Sequence, residues 1–65
     1  MGGHLMDQDI TTAMAAKMLR VSVQTMRRYE KEGLVIPDYR TPGGHRRYFL
    51  ATIEELKVKA HVLQS

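Results

Sequence analysis

Apolar residues recur at helical spacing in three stretches of the chain, and the first of them is short. Ala13, Ala16 and Leu19 lie at intervals of three, which brings their side chains to one side of an α-helix. The stretch is rich in residues that favour helices, and Thr11 or Thr12 can cap its start. We therefore predict a helix from Ala13 to Leu19 whose apolar side packs against another element.

The second stretch has clear start and stop signals. Ser22 can cap the unpaired N–H groups of a first turn, and Val21 before it can pack on Met26 as a hydrophobic staple. Gly33 suits the left-handed conformation in which many helices end. These signals predict a helix over Val23–Glu32, which follows the first helix after a short connection.

The faces of this second helix differ in character. Met26 and Tyr29 lie one turn apart, so we assign both side chains to the core. The other faces are polar and mostly basic: Gln24, Thr25, Arg27, Arg28 and Lys31. Two short helices joined in this way predict a helix-turn-helix. A capped, amphipathic and basic second helix is typical of one that enters the major groove of DNA.

A glycine-rich turn separates two stretches with strand character. Residues Val35–Tyr39 and His45–Phe49 predict the strands of a hairpin, and Pro37, which has no N–H to donate, suits a strand start or an edge. Between them, Thr41–Gly44 fits a type II turn in which Gly43 takes the positive φ. We interpret this hairpin as the wing of a winged helix-turn-helix.

Side chains alternate along a strand, so the hairpin presents its charges on two sides. We expect Tyr48 to pack inward and Arg46, on the same side, to lie near the start of the second helix. Arg47 and His45 then face outward. One of the two arginines is structural in this arrangement, whereas charge clustering favours phosphate contact by at least one. Arg40 extends the same patch.

The third helical stretch opens with Thr52 and Glu55, which have the spacing of a capping box. We predict a helix from about Ile53 to Leu63. Its core face recurs at helical spacing: Ile53, Leu56, Ala60 and Leu63. Together the elements predict a mainly α fold, a winged helix-turn-helix of three short helices with a two-stranded β-hairpin wing between the second and the third.

Length and composition limit the chemistry. The chain has 65 residues and no cysteine, so it forms one domain with a small core and has no cysteine-bound zinc. The serines are Ser22 and Ser65, and no His/Asp/Glu group has metal-ligand spacing. We therefore expect no catalytic, metal or cofactor site.

No apolar run approaches the ~20 residues of a membrane span, which favours a cytoplasmic protein with no membrane partner. We interpret residues 1–6 as a cloning remnant and residues 7–65 as the winged helix-turn-helix domain.

The charge is unevenly distributed. Ten Lys and Arg residues oppose seven Asp and Glu, for a net charge of +3, and residues 39–49 contain three arginines and a histidine but no acid. Such a cluster favours a polyanion partner. For the second helix, an i,i+4 pair of Arg28 with Glu32 is the ordinary explanation. Adjacent Arg27 and Arg28 beside Gln24 favour nucleic acid instead.

The segment from Thr25 to Leu34 reads Thr-Met-Arg-Arg-Tyr-Glu-Lys-Glu-Gly-Leu, and His-Arg-Arg-Tyr follows at residues 45–48. With the capped third helix, these motifs resemble the MerR-type winged helix-turn-helix. That family has a threonine, an aliphatic residue, an arginine, two aromatics and a glutamate, then Gly-Leu and a wing ending in Arg-x-Tyr. The resemblance covers roughly residues 9–63, and the combination of motifs is specific.

The resemblance implies a prokaryotic, nucleoid-associated transcription regulator, or the N-terminal part of one, that binds double-stranded DNA as two copies on paired half-sites. It implies that the second helix reads the major groove with residues among Ser22, Gln24, Thr25, Arg27, Arg28 and Lys31. The wing would clamp the flanking backbone or minor groove with residues among Arg40, Thr41, Gly43, Gly44, His45, Arg46 and Arg47. We assign structural roles to Gly33, Met26, Tyr29, Tyr48, Ile53 and Leu56.

The chain departs from the family pattern in three places. Arg28 replaces an aromatic residue, a form similar to small stand-alone regulators, excisionase-like architectural proteins and the N-terminal domain of small serine transposases. Arg20 stands where glycine is frequent, which costs about 1 kcal/mol if φ is positive there. The chain stops at Ser65, before the dimerisation helix and effector domain of typical members, so we expect no small-molecule effector site within it. Transposase targeting and an architectural role therefore stay open as alternatives, as does a protein-interaction module that uses the third helix.

Overall fold

The computed structural model of the protein describes residues 8–64, with side chains to Val62. The elements follow one another in this order: β1 (Ile10–Thr11), α1 (Thr12–Leu19), α2 (Val23–Lys31), β2 (Tyr39–Arg40), β3 (Arg46–Tyr48) and α3 (Leu50–Gln64). The order confirms the mainly α winged helix-turn-helix, with the β2–β3 hairpin as its wing. No helix in the described part is both long and apolar enough to cross a membrane. The proposed cloning remnant and the Leu63 side chain lie outside the described residues.

A threonine cap opens α1, and a left-handed residue closes it. The Thr11 hydroxyl oxygen accepts the Met14 N–H at 3.1 Å. At the other end Arg20 has a φ of 60°, and the Val21 N–H donates to the Ala16 carbonyl at 2.9 Å. This is the bond pattern of a Schellman closure, in which the left-handed position usually holds glycine. The positive φ considered for Arg20 is confirmed.

The predicted apolar side of α1 is partly wrong. Ala15 and Ala16 are buried and Leu19 is half-buried, but Ala13 is exposed. Since β1 runs directly into α1, the pairing of β1 with β3 sets how the helix is rotated. Ala13 consequently falls outside the buried arc.

The start and stop signals of α2 are confirmed. The Ser22 hydroxyl oxygen accepts the Thr25 N–H at 3.0 Å, and Gly33 takes a φ of 81°. The Leu34 N–H donates to the Tyr29 carbonyl at 2.9 Å, which completes a second Schellman closure. The helix ends at Lys31, one residue before the predicted end, and Glu32 is its cap.

The wing belongs to a sheet with strand order β1-β3-β2. Ile10 of β1 pairs with Tyr48 of β3, and Tyr39 of β2 pairs with Arg47 on the other side, both antiparallel. The pairing of β1 was not predicted, because a strand of two residues has no detectable alternation. The wing strands are also shorter than predicted, since residues 35–38 lie outside the strands.

The prediction of a type II turn with positive φ at Gly43 is wrong. The glycine with positive φ is Gly44, at 85°. The Gly44 N–H donates to the Thr41 carbonyl at 2.8 Å, and the Thr41 N–H donates to the His45 carbonyl at 2.9 Å. This is a three-residue hairpin loop that ends in a left-handed glycine, a geometry that suits the twist of the flanking strands.

The predicted capping box at the start of α3 is also wrong. The helix begins at Leu50, so Thr52 lies inside its first turn. An Asp38 carboxylate oxygen accepts the N–H of Phe49, the residue before the helix, at 2.8 Å, whereas the prediction had the Glu55 side chain accept the N–H of Thr52. The residue that binds the backbone at the start of this helix, Asp38, thus lies in the segment before β2. No local sequence pattern indicates this contact.

The core draws on β1, β3, the three helices and the segment after α2, but not on β2, whose two residues are exposed. It consists of Ile10, Ala15, Ala16, Met26, Tyr29, Val35, Tyr48, Ile53, Leu56 and Ala60. The core assignments of Met26, Tyr29 and Tyr48 are confirmed, at 0%, 4% and 1% exposure. Val21, the other residue of the predicted hydrophobic staple, is partly buried against the cluster that contains Met26. The core therefore fixes α2 and β3 relative to each other.

Candidate nucleic-acid interface

The outer face of α2 presents a row of unpaired polar and basic side chains. Successive residues of a helix are rotated by about 100°, so the positions opposite Met26 and Tyr29 share one face. We call the basic face of α2 the set Gln24, Arg27, Arg28 and Lys31, all of which are exposed. Within residues 8–64, none of its cations makes an ion pair, and the alternative pair of Arg28 with Glu32 is not formed.

Ser22 and Thr25 are bound to each other at the start of the same helix. The Ser22 hydroxyl donates to the Thr25 hydroxyl oxygen at 3.0 Å, while its own oxygen accepts the Thr25 N–H. A hydroxyl has one proton to donate. Because the Ser22 proton is already used, the structural role of Ser22 is to cap α2.

Arg46 joins the wing to α2. Its Nε lies 2.6 Å from Oε1 of Glu30 and 2.8 Å from Oε2. The Glu30 side chain is 17% exposed and that of Arg46 is 37% exposed. Arg46 does share the inward side with Tyr48, as predicted, but it meets the last turn of α2 rather than its start.

Arg47 lies on the opposite side of the wing, and it is held there. Its Nε donates to Oδ1 of Asp9 at 2.8 Å, and its Nη1 donates to the Arg46 carbonyl at 3.1 Å. The Tyr39 hydroxyl donates to the same Asp9 oxygen at 2.8 Å. We call these three side chains, Asp9, Tyr39 and Arg47, the Asp9 cluster. Arg47 faces the outer side of the sheet as expected, but it is ion-paired there and its side chain is only 22% exposed.

Asp9 was absent from the candidate residues of the sequence analysis. It lies 38 residues before Arg47, and no periodic or capping pattern links such distant positions. The hydrogen bond to Asp9 is the main cause that raises the pKa of Tyr39, because the phenol donates its proton to a carboxylate. The Tyr39 ring also packs against Phe49, with 6.1 Å between ring centroids.

The tip of the wing carries further cationic and backbone groups. Arg40 is exposed, and its Nη1 donates to the Gly44 carbonyl at 3.3 Å. His45 is exposed, and its N–H donates to the Thr41 hydroxyl oxygen at 3.2 Å. Thr41 therefore stabilises the loop, while Arg40 and His45 place positive or hydrogen-bonding groups beside Gly43 and Gly44.

A groove of about 410 Å³ connects the wing with α2 and with the start of α1. It is lined by Thr11, Thr12, Ala13, Arg27, Gly44, His45, Arg46 and Arg47. The tertiary structure thus brings Arg27 of the basic face and the wing residues to one continuous surface rich in N–H donors. Such donors bind phosphates and the acceptor atoms of bases. In the described part of the chain, no group of three or more His, Asp or Glu side chains is placed to hold a metal ion.

Comparison with known proteins relates this arrangement to one family. The sequence model of the MerR family regulatory protein matches residues 11–48. Among solved structures, the chain is similar to the crystal structure of HiNmlR, a MerR family regulator lacking the sensor domain, bound to promoter DNA. The TM-score is 0.74 and the sequence identity 32%, over 86% of this chain and 44% of that one. No curated protein matches the chain significantly.

Proposed function

The chain belongs to the MerR family, and we propose that it binds double-stranded DNA sequence-specifically as the DNA-binding part of a transcription regulator. The observation that carries this proposal is the basic face of α2, whose three cations have no ion-pair partner among the described residues. Unpaired cations on one exposed face lower the cost of bringing up a polyanion, because no internal salt bridge has to break. HiNmlR, a family member of similar fold, is bound to promoter DNA.

The basic face of α2 enters the major groove in this proposal. Arginine can bond guanine through two donors, and glutamine can bond adenine through a donor and an acceptor. Arg27, Arg28 and Gln24 are therefore the candidates for base contact, and Lys31 for phosphate. Ser22 keeps its role as the helix cap, and Thr25 supports it through their shared bond.

The wing contacts the flanking DNA backbone or minor groove. Arg40 and His45 at its tip, with the backbone of Gly43 and Gly44, approach the phosphates. Arg46 is first a positioning residue, because its bond to Glu30 fixes the wing against α2. One chain covers one half-site, and two copies on paired half-sites supply the specificity that a short helix lacks.

Selection of binding sites from a random duplex pool, followed by affinity measurements across salt concentrations, tests the proposal. We expect enrichment of a motif and a logarithmic affinity that falls with the logarithm of salt concentration by about 0.9 per neutralised phosphate. A paired motif would support two copies, and its spacing would give their separation. No enrichment together with salt-independent binding would overturn the proposal.

Arg28→Ala tests the assignment of the basic face. We expect it to weaken binding to the selected site by about 1–3 kcal/mol and to relax specificity at one base pair. Lys57→Ala is the matched control, since it removes one exposed cation that belongs to α3 and to neither the basic face of α2 nor the wing. Equal affinities of Arg28→Ala and the unaltered protein for the selected site would contradict the assignment.

A transposase-targeting or architectural role uses the same DNA-binding surface. The likeness to HiNmlR favours the regulator, although the chain spans less than half of that protein. The complete reading frame of the parent gene distinguishes the possibilities. A downstream serine-recombinase domain would identify a transposase.

A further inference from the structure

We propose that Asp9 is a positioning residue that holds the wing in its DNA-binding orientation through Arg47 and Tyr39. This inference rests on the proposed function, because it concerns how the same surface is presented to DNA. No motif of the sequence includes Asp9, and its partners lie in two other strands of the sheet.

A single carboxylate oxygen links the three strands of the described sheet. Asp9 directly precedes β1, Tyr39 belongs to β2 and Arg47 belongs to β3. Oδ1 of Asp9 accepts one bond from the Tyr39 hydroxyl and one from Arg47 Nε, each of 2.8 Å. Tyr39 and Arg47 are also a cross-strand pair. Because Tyr48 faces the core, the Asp9 cluster lies on the outer side of the sheet.

The wing needs such side-chain bonds, because its backbone pairing is short. β1 and β2 have two residues each, and β3 has three. Ribbons of this length are marginal without further packing. The Arg46–Glu30 pair binds the wing to α2 on one side of the sheet, and the Asp9 cluster binds it to the segment before β1 on the other side. Loss of Asp9 would leave the wing held from one side.

Because Asp9 is negatively charged, the direction in which its removal changes DNA affinity tests the inference. A carboxylate beside a surface that meets phosphates repels them. If Asp9 acted through its charge alone, its removal would tighten DNA binding. If it positions the wing, removal weakens DNA binding even though a repulsive charge has gone.

The test measures binding of the protein to its selected duplex with Asp9→Ala, Asp9→Asn and the control Glu32→Ala. Glu32 is exposed and its side chain makes no ion pair with the described residues, so Glu32→Ala removes an acid without removing a contact to the wing. We expect Asp9→Ala to weaken binding about five- to tenfold, the scale of one or two lost charge-assisted hydrogen bonds. Asp9→Asn should retain part of the affinity, because its amide oxygen still accepts a hydrogen bond. Glu32→Ala should bind as the unaltered protein does or slightly more tightly.

A second readout separates positioning from a general loss of stability. If the wing loses a phosphate contact, the salt slope of Asp9→Ala decreases by about one phosphate equivalent. A protein that is merely less stable keeps its slope once the folded fraction is accounted for by circular dichroism. Should Asp9→Ala not fold, Tyr39→Phe removes one of the two bonds alone, and we expect it to weaken binding in the same direction.

The outcomes distinguish this inference from the proposed function. A folded Asp9→Ala protein that binds as tightly as the unaltered one, or more tightly, would overturn the role of Asp9 and leave DNA binding intact. An unaltered protein that shows no salt-dependent binding to any duplex would overturn both.

Discussion

Three residues of the described chain adopt the left-handed backbone conformation, and each closes an element or a turn: Arg20, Gly33 and Gly44. Glycine takes this conformation without steric cost, whereas a side chain brings Cβ close to the neighbouring carbonyl. Arg20 is therefore strained at a φ of 60°. It is held there by the hydrogen bonds that end α1, which would have to be given up for another conformation.

Arg20→Gly should stabilise the protein. Relief of the left-handed strain outweighs the added freedom of the unfolded chain, and we expect the free energy of unfolding to rise by about 0.5–1 kcal/mol. Lys17→Gly, one turn earlier inside α1, should lower it by about 1 kcal/mol. Chemical denaturation of the unaltered protein and the two variants checks the direction of both changes in the free energy of unfolding. A loss of stability in Arg20→Gly would show that the arginine side chain contributes more than the strain costs.

The two adjacent glycines of the wing should respond differently to alanine. Gly44→Ala forces a side chain into a φ of 85°, so the free energy of unfolding should fall by about 1–2 kcal/mol. At Gly43 the new Cβ meets the His45 ring at 3.2 Å. That ring can turn aside, so the loss should stay below about 0.5 kcal/mol. Thermal unfolding of both variants checks this order of stabilities. A larger loss in Gly43→Ala than in Gly44→Ala would favour the type II turn that the sequence predicted.

At the scale of elements, helix starts differ in where their caps come from. α2 is capped by Ser22 immediately before it, whereas α3 starts at a bond from Phe49 N–H to the distant Asp38. A local cap is visible in the sequence, and a cap from another segment is not. This difference explains why the bounds of α2 were predicted to within one residue, while the start of α3 was predicted three residues late.

Ser22→Ala and Thr52→Ala measure this difference. Ser22→Ala removes the cap of α2, so the free energy of unfolding should fall by about 1 kcal/mol. Thr52→Ala replaces a residue inside the first turn of α3 that caps nothing, so the change should stay within about 0.5 kcal/mol. Urea denaturation compares them. Equal losses would indicate that Thr52 acts as a cap after all.

The wing and its contacts show how elements acquire their function. Two ion pairs fix it, one to α2 through Glu30 and one to the segment before β1 through Asp9. Arg46 and Arg47 are thus tied to carboxylates. Arg27, Arg28 and Lys31 make no ion pair within residues 8–64. Ion pairs therefore position the hairpin, whereas the cations of α2 are left exposed and without an ion pair among the described residues.

For the molecule as a whole, buried Tyr48 predicts how stability depends on pH. Burial is the main cause that raises the pKa of Tyr48 above its ordinary value of 10.0. A raised pKa in the folded state means that its contribution to stability is fully present below pH 10 and is lost as pH rises through the folded pKa. The free energy of unfolding should therefore fall above about pH 10.

Denaturation between pH 8 and 11 checks this dependence. Tyr48→Phe should make the alkaline decrease shallower, because the buried ring no longer titrates. Tyr39→Phe is the comparison at an exposed position, where the bond with Asp9 rather than burial is the main cause of the raised pKa. An unchanged alkaline slope in Tyr48→Phe would show that other groups cause the decrease.

Local signals predicted that three helices and a wing exist, the bounds of α2 and most of the core of this protein. Ser22, Gly33 and the recurring apolar positions act through contacts within about one turn of a helix, so their effect can be deduced from neighbouring residues. The same reasoning identified the basic face of α2, because the residues that face away from a buried stripe follow from the helical period.

Contacts between distant segments decided the rest. Arg46 meets Glu30 16 residues away, Arg47 meets Asp9 38 residues away and Phe49 meets Asp38 11 residues away. The first two bonds join side chains and the third joins a backbone N–H to a carboxylate, and in each case the tertiary structure brings together groups that are distant in the sequence. Which arginines are ion-paired within the protein, and which stay exposed, is therefore a property of the tertiary structure, since the pairing of charges depends on distance in space.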